Sequence, residues 1–120
     1  MKLRRADKLN IQIYGRSKCF DTKKAERFFK ERRVKYQYID LDRYGMSRGE
    51  LKSVVAALGL AAIINEKNDG AATVSAYAYE EDKIDALYND PALIKTPVVR
   101  NGRAATVGAC ENVWKEWMKS

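Results

Sequence analysis

The chain has 120 residues, of which 46% are hydrophobic and 32% charged, with a formal net charge of +7. That length and balance suit one compact domain spanning residues 1–120 with one main core, and no run of about 18 or more apolar residues could span a membrane. Histidine is absent, which excludes Cys-His and Ser-His nucleophile pairs and every His-containing metal site.

Residues 1–8 form a basic leader, expected to be flexible. No apolar signal segment follows it, so the expected location is the cytoplasm. Leu9-Asn10-Ile11-Gln12-Ile13-Tyr14 then alternates with period two and stops at Gly15, which predicts a strand and a loop. From Asp21 the apolar residues Ala25, Phe28 and Phe29, with Val34 beyond, keep helical spacing, and Asp21 or Thr22 is placed to cap the helix. Lys35-Tyr36-Gln37-Tyr38-Ile39-Asp40-Leu41 alternates again. A strand, helix and strand of these lengths imply parallel pairing with a right-handed crossover.

Ser47 and Glu50 match a capping box, and Met46 with Leu51 a hydrophobic staple. Leu51, Val54, Val55 and Leu58 continue as one apolar stripe closed by Gly59. Leu60 to Glu66 suggests another short helical piece, Lys67-Asn68-Asp69-Gly70 a turn, and Ala71 to Ala78 irregular structure. Tyr79 to Asn89 reads as a helix, acidic at its start, with Ile84, Leu87 and Tyr88 on one face and Pro91 beyond its end. Pro97 to Val107 reads as a hairpin turning at Asn101-Gly102. After Gly108, residues Cys110 to Met118 read as a terminal helix whose Val113, Trp114, Trp117 and Met118 cover the sheet.

Cys19 falls where the first strand pattern passes into the first helix. The free amides and dipole of a helix start stabilise an anion, and Arg16, Lys18, Lys23 and Lys24 add positive charge, so the thiolate should form readily. The competing reading is a small buried hydrophobe. Cys19 and Cys110 are the two cysteines of the chain, too few and too far apart in sequence for a four-thiolate metal site, so neither metal nor bound cofactor is expected. Lys and Arg are densest from Lys2 to Arg33, with Asp and Glu interspersed. No ribonucleoprotein or zinc-finger signature accompanies them, so nucleic acid is not the expected partner, and neither is a membrane.

The order β-α-β, helical insertion, β-β-α, with Cys19 after the first strand and Thr96-Pro97 before the hairpin, resembles the thioredoxin fold. More narrowly it is similar to the arsenate reductase-like (ArsC/Spx) family. The resemblance runs from about Ile11 to Trp117 and rests on Ile13-Tyr14-Gly15 through Cys19 and Lys23-Lys24-Ala25, on Pro91 through Val99, and on Val107-Gly108. It implies an α/β fold with a mixed four-stranded sheet, Cys19 as the reacting thiol, and a cis peptide at Pro97 where an ordinary trans strand start is the alternative. In the family three arginines hold the oxyanion; the matching positions here are Glu66, Thr96 and Ala109, which speaks against efficient arsenate reduction. Arg16 and Lys18 are candidates to compensate, whereas Arg100 and Arg103 flank the hairpin turn and are expected in solvent.

The Cys-x-x-Cys of Spx-type members is here Cys19-x-x-Thr22, as in monothiol glutaredoxins. Thr22 can hydrogen-bond the thiolate or simply cap the helix. Cys110 is either a resolving thiol for Cys19, if their Cα atoms approach within about 7 Å, or a buried inert residue. The resemblance thus implies a thiol-dependent oxidoreductase acting on a disulfide, with glutathione, glutaredoxin or thioredoxin as external reductant. Its alternative is a non-enzymatic Spx-like module that docks on RNA polymerase.

Overall fold

In a computed structural model residues 9–119 are described; the basic leader lies outside them. The alternation after Leu9 forms β1 (Ile11–Gly15). Ile11 and Ile13 pack into one hydrophobic cluster and Tyr14 into another, so both faces of the strand are covered and it lies inside the sheet. Helix α1 (Phe20–Glu31) buries Ala25, Phe28 and Phe29 and leads to β2 (Tyr36–Asp40), which pairs parallel to β1 with Ile11 opposite Tyr36. Strands β3 (Val98–Asn101) and β4 (Ala104–Val107) complete a four-stranded sheet in the order β2-β1-β3-β4, with β3 antiparallel to β1. This is the mixed, thioredoxin-like α/β architecture that the sequence order implies.

Each face of the sheet has its own core, where one main core was expected. On one side α1 and the terminal helix α7 (Glu111–Lys119) enclose Ile11, Ile13, Phe28, Phe29, Val99 and Trp114. The Trp114 ring lies 5.3 Å from that of Phe28 and 5.4 Å from that of Phe29, and its indole N–H donates to Thr106 Oγ1 at 2.9 Å. Burying such a ring contributes roughly 4 to 5 kcal/mol while the hydrogen bond offsets desolvation of its polar edge. Val113 is 42% exposed and does not cover the sheet; it sits one residue before Trp114, about 100° round the helix.

The opposite face is covered by the helical insertion: α2 (Leu41–Tyr44), α3 (Arg48–Leu58), α4 (Leu60–Ile63), α5 (Ala71–Ser75) and α6 (Glu80–Asn89). The capping box is present in full. Ser47 Oγ accepts from the Glu50 amide and Glu50 Oε1 from the Ser47 amide, both at 3.1 Å. Met46 and Leu51 are both buried in the adjoining core. Gly59 has φ +82, a backbone that ends α3 where a side chain would be strained.

Four further details differ from the sequence expectation. Leu41 leaves β2 and opens α2, because Asp40 caps that turn by accepting from the Asp42 amide at 3.1 Å. Ala71 to Ala78 is not irregular throughout: Ala71 and Val74 are buried, three apart on one side of α5, and their burial holds a helical turn that local propensity does not announce. Tyr88 is 41% exposed, lying under the Arg48 guanidinium at 4.5 Å rather than in the core with Ile84 and Leu87. The hairpin turns at Gly102-Arg103, one residue later than expected, with Asn101 opposite Ala104 and Gly102 at φ +62. An Asn101-Gly102 turn would set Arg100 directly against Arg103, a like-charge pair that disfavours that register.

Candidate active site

The β1–α1 connection determines where Cys19 sits. Gly15 ends β1 against Thr22: a Cβ at position 15 would lie 2.2 Å from Thr22 Cγ2, so glycine allows the first turn of α1 to close over the strand end. The Cys19 amide donates to Arg16 O at 3.0 Å, folding the intervening loop back. Cys19 is itself the N-cap of α1, in extended conformation with φ −85 and ψ 118. This corrects the assignment of Asp21 or Thr22 as cap. Thr22 lies inside the first turn, 1% exposed, and its Oγ1 accepts from the Arg16 amide at 3.4 Å.

The Cys19 side chain is half-buried. As a thiol it donates to Thr96 O at 3.6 Å and, among the described residues, makes no cap bond of full geometry. Burial pushes its pKa up, but the hydroxyls of Thr22 and Thr96 and the amides of Thr22 and Asp21 favour the thiolate more, and the net shift is downward. These leading causes are hydrogen-bond donors rather than cations, so Arg16, Lys18, Lys23 and Lys24 are not the principal activators that the sequence suggests. The helix start activates the thiol through particular N–H and O–H groups.

Thr96-Pro97 is a cis peptide, as the resemblance implies. Pro97 is buried, and its carbonyl accepts from the Gly108 amide at 2.9 Å, which ties the segment beside Cys19 to the end of β4. A cleft of about 510 Å³ opens over the sulfur, lined by Arg16, Lys18, Cys19, Phe20, Asp21, Asn65, Lys67, Lys95 and Thr96. Phe20, directly after the thiol, is 78% exposed.

Arg16 is engaged by the protein. Its Nε bonds Asp42 Oδ1 at 2.8 Å, and its Nη1 and Nη2 donate to Ile94 O at 2.7 Å and Pro91 O at 2.5 Å. One guanidinium thereby fastens α2 and the Pro91–Ile94 segment to the Cys19 loop, holding the floor of the cleft. Lys18 is exposed at the cleft wall, while Lys23 and Lys24 are exposed on α1 outside its lining. Of the positions matching the family's arginines, Thr96 lines the cleft, whereas Glu66 and Ala109 are exposed and do not.

Arg100 is not in solvent. With 15% of its side chain exposed, it bonds Gln12 Oε1 at 2.9 Å and Tyr14 Oη at 3.4 Å and lies 3.5 Å from Glu50. Tyr14 also donates to Glu50. Burial, together with that carboxylate, pushes the Tyr14 pKa up to about 12; Glu50, which burial would raise, is held below its ordinary value by its donors and by Arg100. This network lies on the insertion face of the sheet and does not reach the cleft. Arg103 is exposed, as expected.

Both cysteines are free thiols. Cys110 is half-buried beside the α7 core, its Sγ donating to Val107 O at 3.3 Å. The residues that sequence reasoning missed are Asn65, Lys67 and Lys95. Lys67 and Lys95 stand next to positions 66 and 96, where the family pattern has arginine, and an inspection of cations one residue off that pattern could have found them.

Several solved structures share this fold. A protein described as YFFB superposes with TM-score 0.79 at 24% identity, covering 91% of this chain and 99% of its own. For the arsenate reductase from Vibrio cholerae the values are 0.78 and 21%, with 89% and 97% covered. SACOL0876 from Staphylococcus aureus COL gives 0.74 and 26%, with 88% and 96% covered. No curated protein matches the chain. The sequence profile of the ArsC family matches residues 14–117, a span that takes in the Cys19 loop, the cis proline and most of α7, and the chain therefore belongs to the ArsC family.

Proposed function

We propose that this protein is a thiol-dependent oxidoreductase in which Cys19 attacks disulfides, with the cytoplasm as its place of action. The supporting observation is a half-exposed sulfur at the start of α1, its pKa lowered by the Thr22 and Thr96 hydroxyls and two amides, beside cis-Pro97. The Cys19 thiolate attacks one sulfur of a mixed disulfide, the S–S bond breaks, and the other sulfur leaves as a thiolate. A second thiol such as glutathione then attacks the Cys19 disulfide, takes its place in a new disulfide and releases the Cys19 thiolate. Glutaredoxin or thioredoxin would serve in the same role. Cys110 is the alternative internal resolving thiol.

Efficient arsenate reduction is not part of this proposal. Thr96 carries no charge, Glu66 and Ala109 are outside the cleft, and the lysines that do line it present single charges instead of the planar fork that grips an oxyanion. Alkylation of Cys19 by iodoacetamide against pH is the direct test. The expected midpoint lies below about 8.5, the value of a free thiol, and is absent in Cys19→Ser. A midpoint at or above that value would overturn the activated-thiol reading.

A second reading is a non-enzymatic Spx-like module binding RNA polymerase. It is favoured by Phe20, a large apolar side chain 78% exposed at the tip of the site, which suits a protein surface better than a small substrate. Binding of purified polymerase to Cys19→Ser as tightly as to wild type would favour this module; loss of Cys19 reactivity alone would not.

A further inference from the structure

The cleft above Cys19 has an uneven charge. Four cations line it, Arg16, Lys18, Lys67 and Lys95, against one carboxylate, Asp21. Arg16 is occupied by Asp42. Among the described residues Lys18, Lys67 and Lys95 have no carboxylate within ion-pair distance, in contrast to Arg48, Lys52, Arg100 and Lys119, which are paired. The three free ammonium groups arrive from separate segments: the Cys19 loop, the turn after α4, and the residue before Thr96. Local helix composition therefore does not account for their meeting at the one cleft that Cys19 also lines.

We propose that Lys18, Lys67 and Lys95 make Cys19 selective for disulfides that carry carboxylates near the sulfur. This rests on the thiol reading above and adds its substrate class. Lysine ammonium groups on flexible stems meet carboxylates over a range of positions, whereas a compact tetrahedral oxyanion is best gripped by the rigid fork of arginine. The cations act before and during attack: they raise the local concentration of an anionic disulfide and offset repulsion between its charge and the incoming thiolate. In the step itself Cys19 sulfur forms a bond to one substrate sulfur, the S–S bond breaks, and the other sulfur departs as a carboxylate-bearing thiolate, reduced as Cys19 is oxidised to the mixed disulfide.

The test measures second-order rate constants of the full chain with 3,3′-dithiodipropionate, 2-hydroxyethyl disulfide and cystamine, anionic, neutral and cationic respectively. Each is divided by that disulfide's rate with 2-mercaptoethanol, and adduct formation at Cys19 is followed by mass. At low salt the anionic disulfide is expected to exceed the neutral one about tenfold, as three unit charges at about 9 Å in water would give. Near 1 M salt, where the screening length is about 3 Å, the ratio should approach one. Lys18→Glu/Lys67→Glu/Lys95→Glu should invert the order so that cystamine leads, whereas Lys30→Glu/Lys35→Glu/Lys115→Glu, an equal change of net charge elsewhere, should keep the wild-type order. Equal normalised rates for all three disulfides, or the same inversion in both triple variants, would overturn the selectivity and leave the thiol reading standing. Failure of every disulfide to modify Cys19 would overturn both.

Discussion

Replacing Thr22 by valine removes one hydroxyl and little else. Thr22 is buried against Gly15, and valine has nearly the same shape, so the first turn of α1 should keep its packing. Two polar contacts are lost. The Arg16 amide loses an acceptor at 3.4 Å, a long bond whose absence should cost about 1 kcal/mol of stability. The Cys19 thiolate loses the donor that contributes most to its lowered pKa. A hydrogen bond to a charged group is worth about 1.5 to 3 kcal/mol, and water in the open cleft replaces part of it, so the midpoint should rise by about one pH unit. Below both midpoints the thiolate fraction, and the alkylation rate with it, falls about tenfold. Thr22→Ser keeps the hydroxyl and loses a buried methyl, so it should be less stable yet hold the wild-type midpoint. A shift under about 0.3 units in Thr22→Val would refute the assignment of this hydroxyl as the main donor to the sulfur.

Three further expectations follow from the structure. Because the Cys19 pKa is lowered on folding, its contribution to stability is present above the unfolded value near 8.5 and is lost as pH falls through the folded value. Denaturant titrations should therefore show wild type gaining on Cys19→Ser as pH rises through that window and levelling above it; a difference independent of pH would contradict the lowered pKa. Gly15→Ala drives a methyl into Thr22 at 2.2 Å, so urea unfolding should show a loss of about 2 kcal/mol or more together with a raised Cys19 midpoint, and unchanged values would mean that the contact is not tight. Of the seven tyrosines, Tyr14 should ionise near pH 12; absorbance titration should lose that late component in Tyr14→Phe, and its persistence would assign it to another tyrosine.

Much of this architecture can be read from short stretches of sequence. Period-two alternation places β1 and β2, the spacing of Ala25, Phe28 and Phe29 places α1, and Ser47 with Glu50 marks the start of α3, because each pattern reflects local geometry or burial along a single element. Cys19 is legible for the same reason, as the residue between a strand pattern and a helix pattern. Its particular role as the cap is less so, since the polar residues at 21 and 22 are the better caps by type and only the close approach of Thr22 to Gly15 moves them inside the helix.

Other features depend on neighbours distant in sequence. Arg100 reads as a turn residue but is drawn into the sheet face by Gln12, Tyr14 and Glu50. Composition and periodicity do not connect Lys67 and Lys95 with Cys19; only their place one residue from the family's arginine positions hints at it, and the tertiary structure is what brings the insertion beside the cis-Pro97 segment. The sequence by itself determined most of the elements, the family resemblance and the candidate thiol, all of which follow from residues close together along the chain. The tertiary structure decided which hydroxyls and cations surround that thiol, because electrostatic and hydrogen-bonding partners are selected by distance in space.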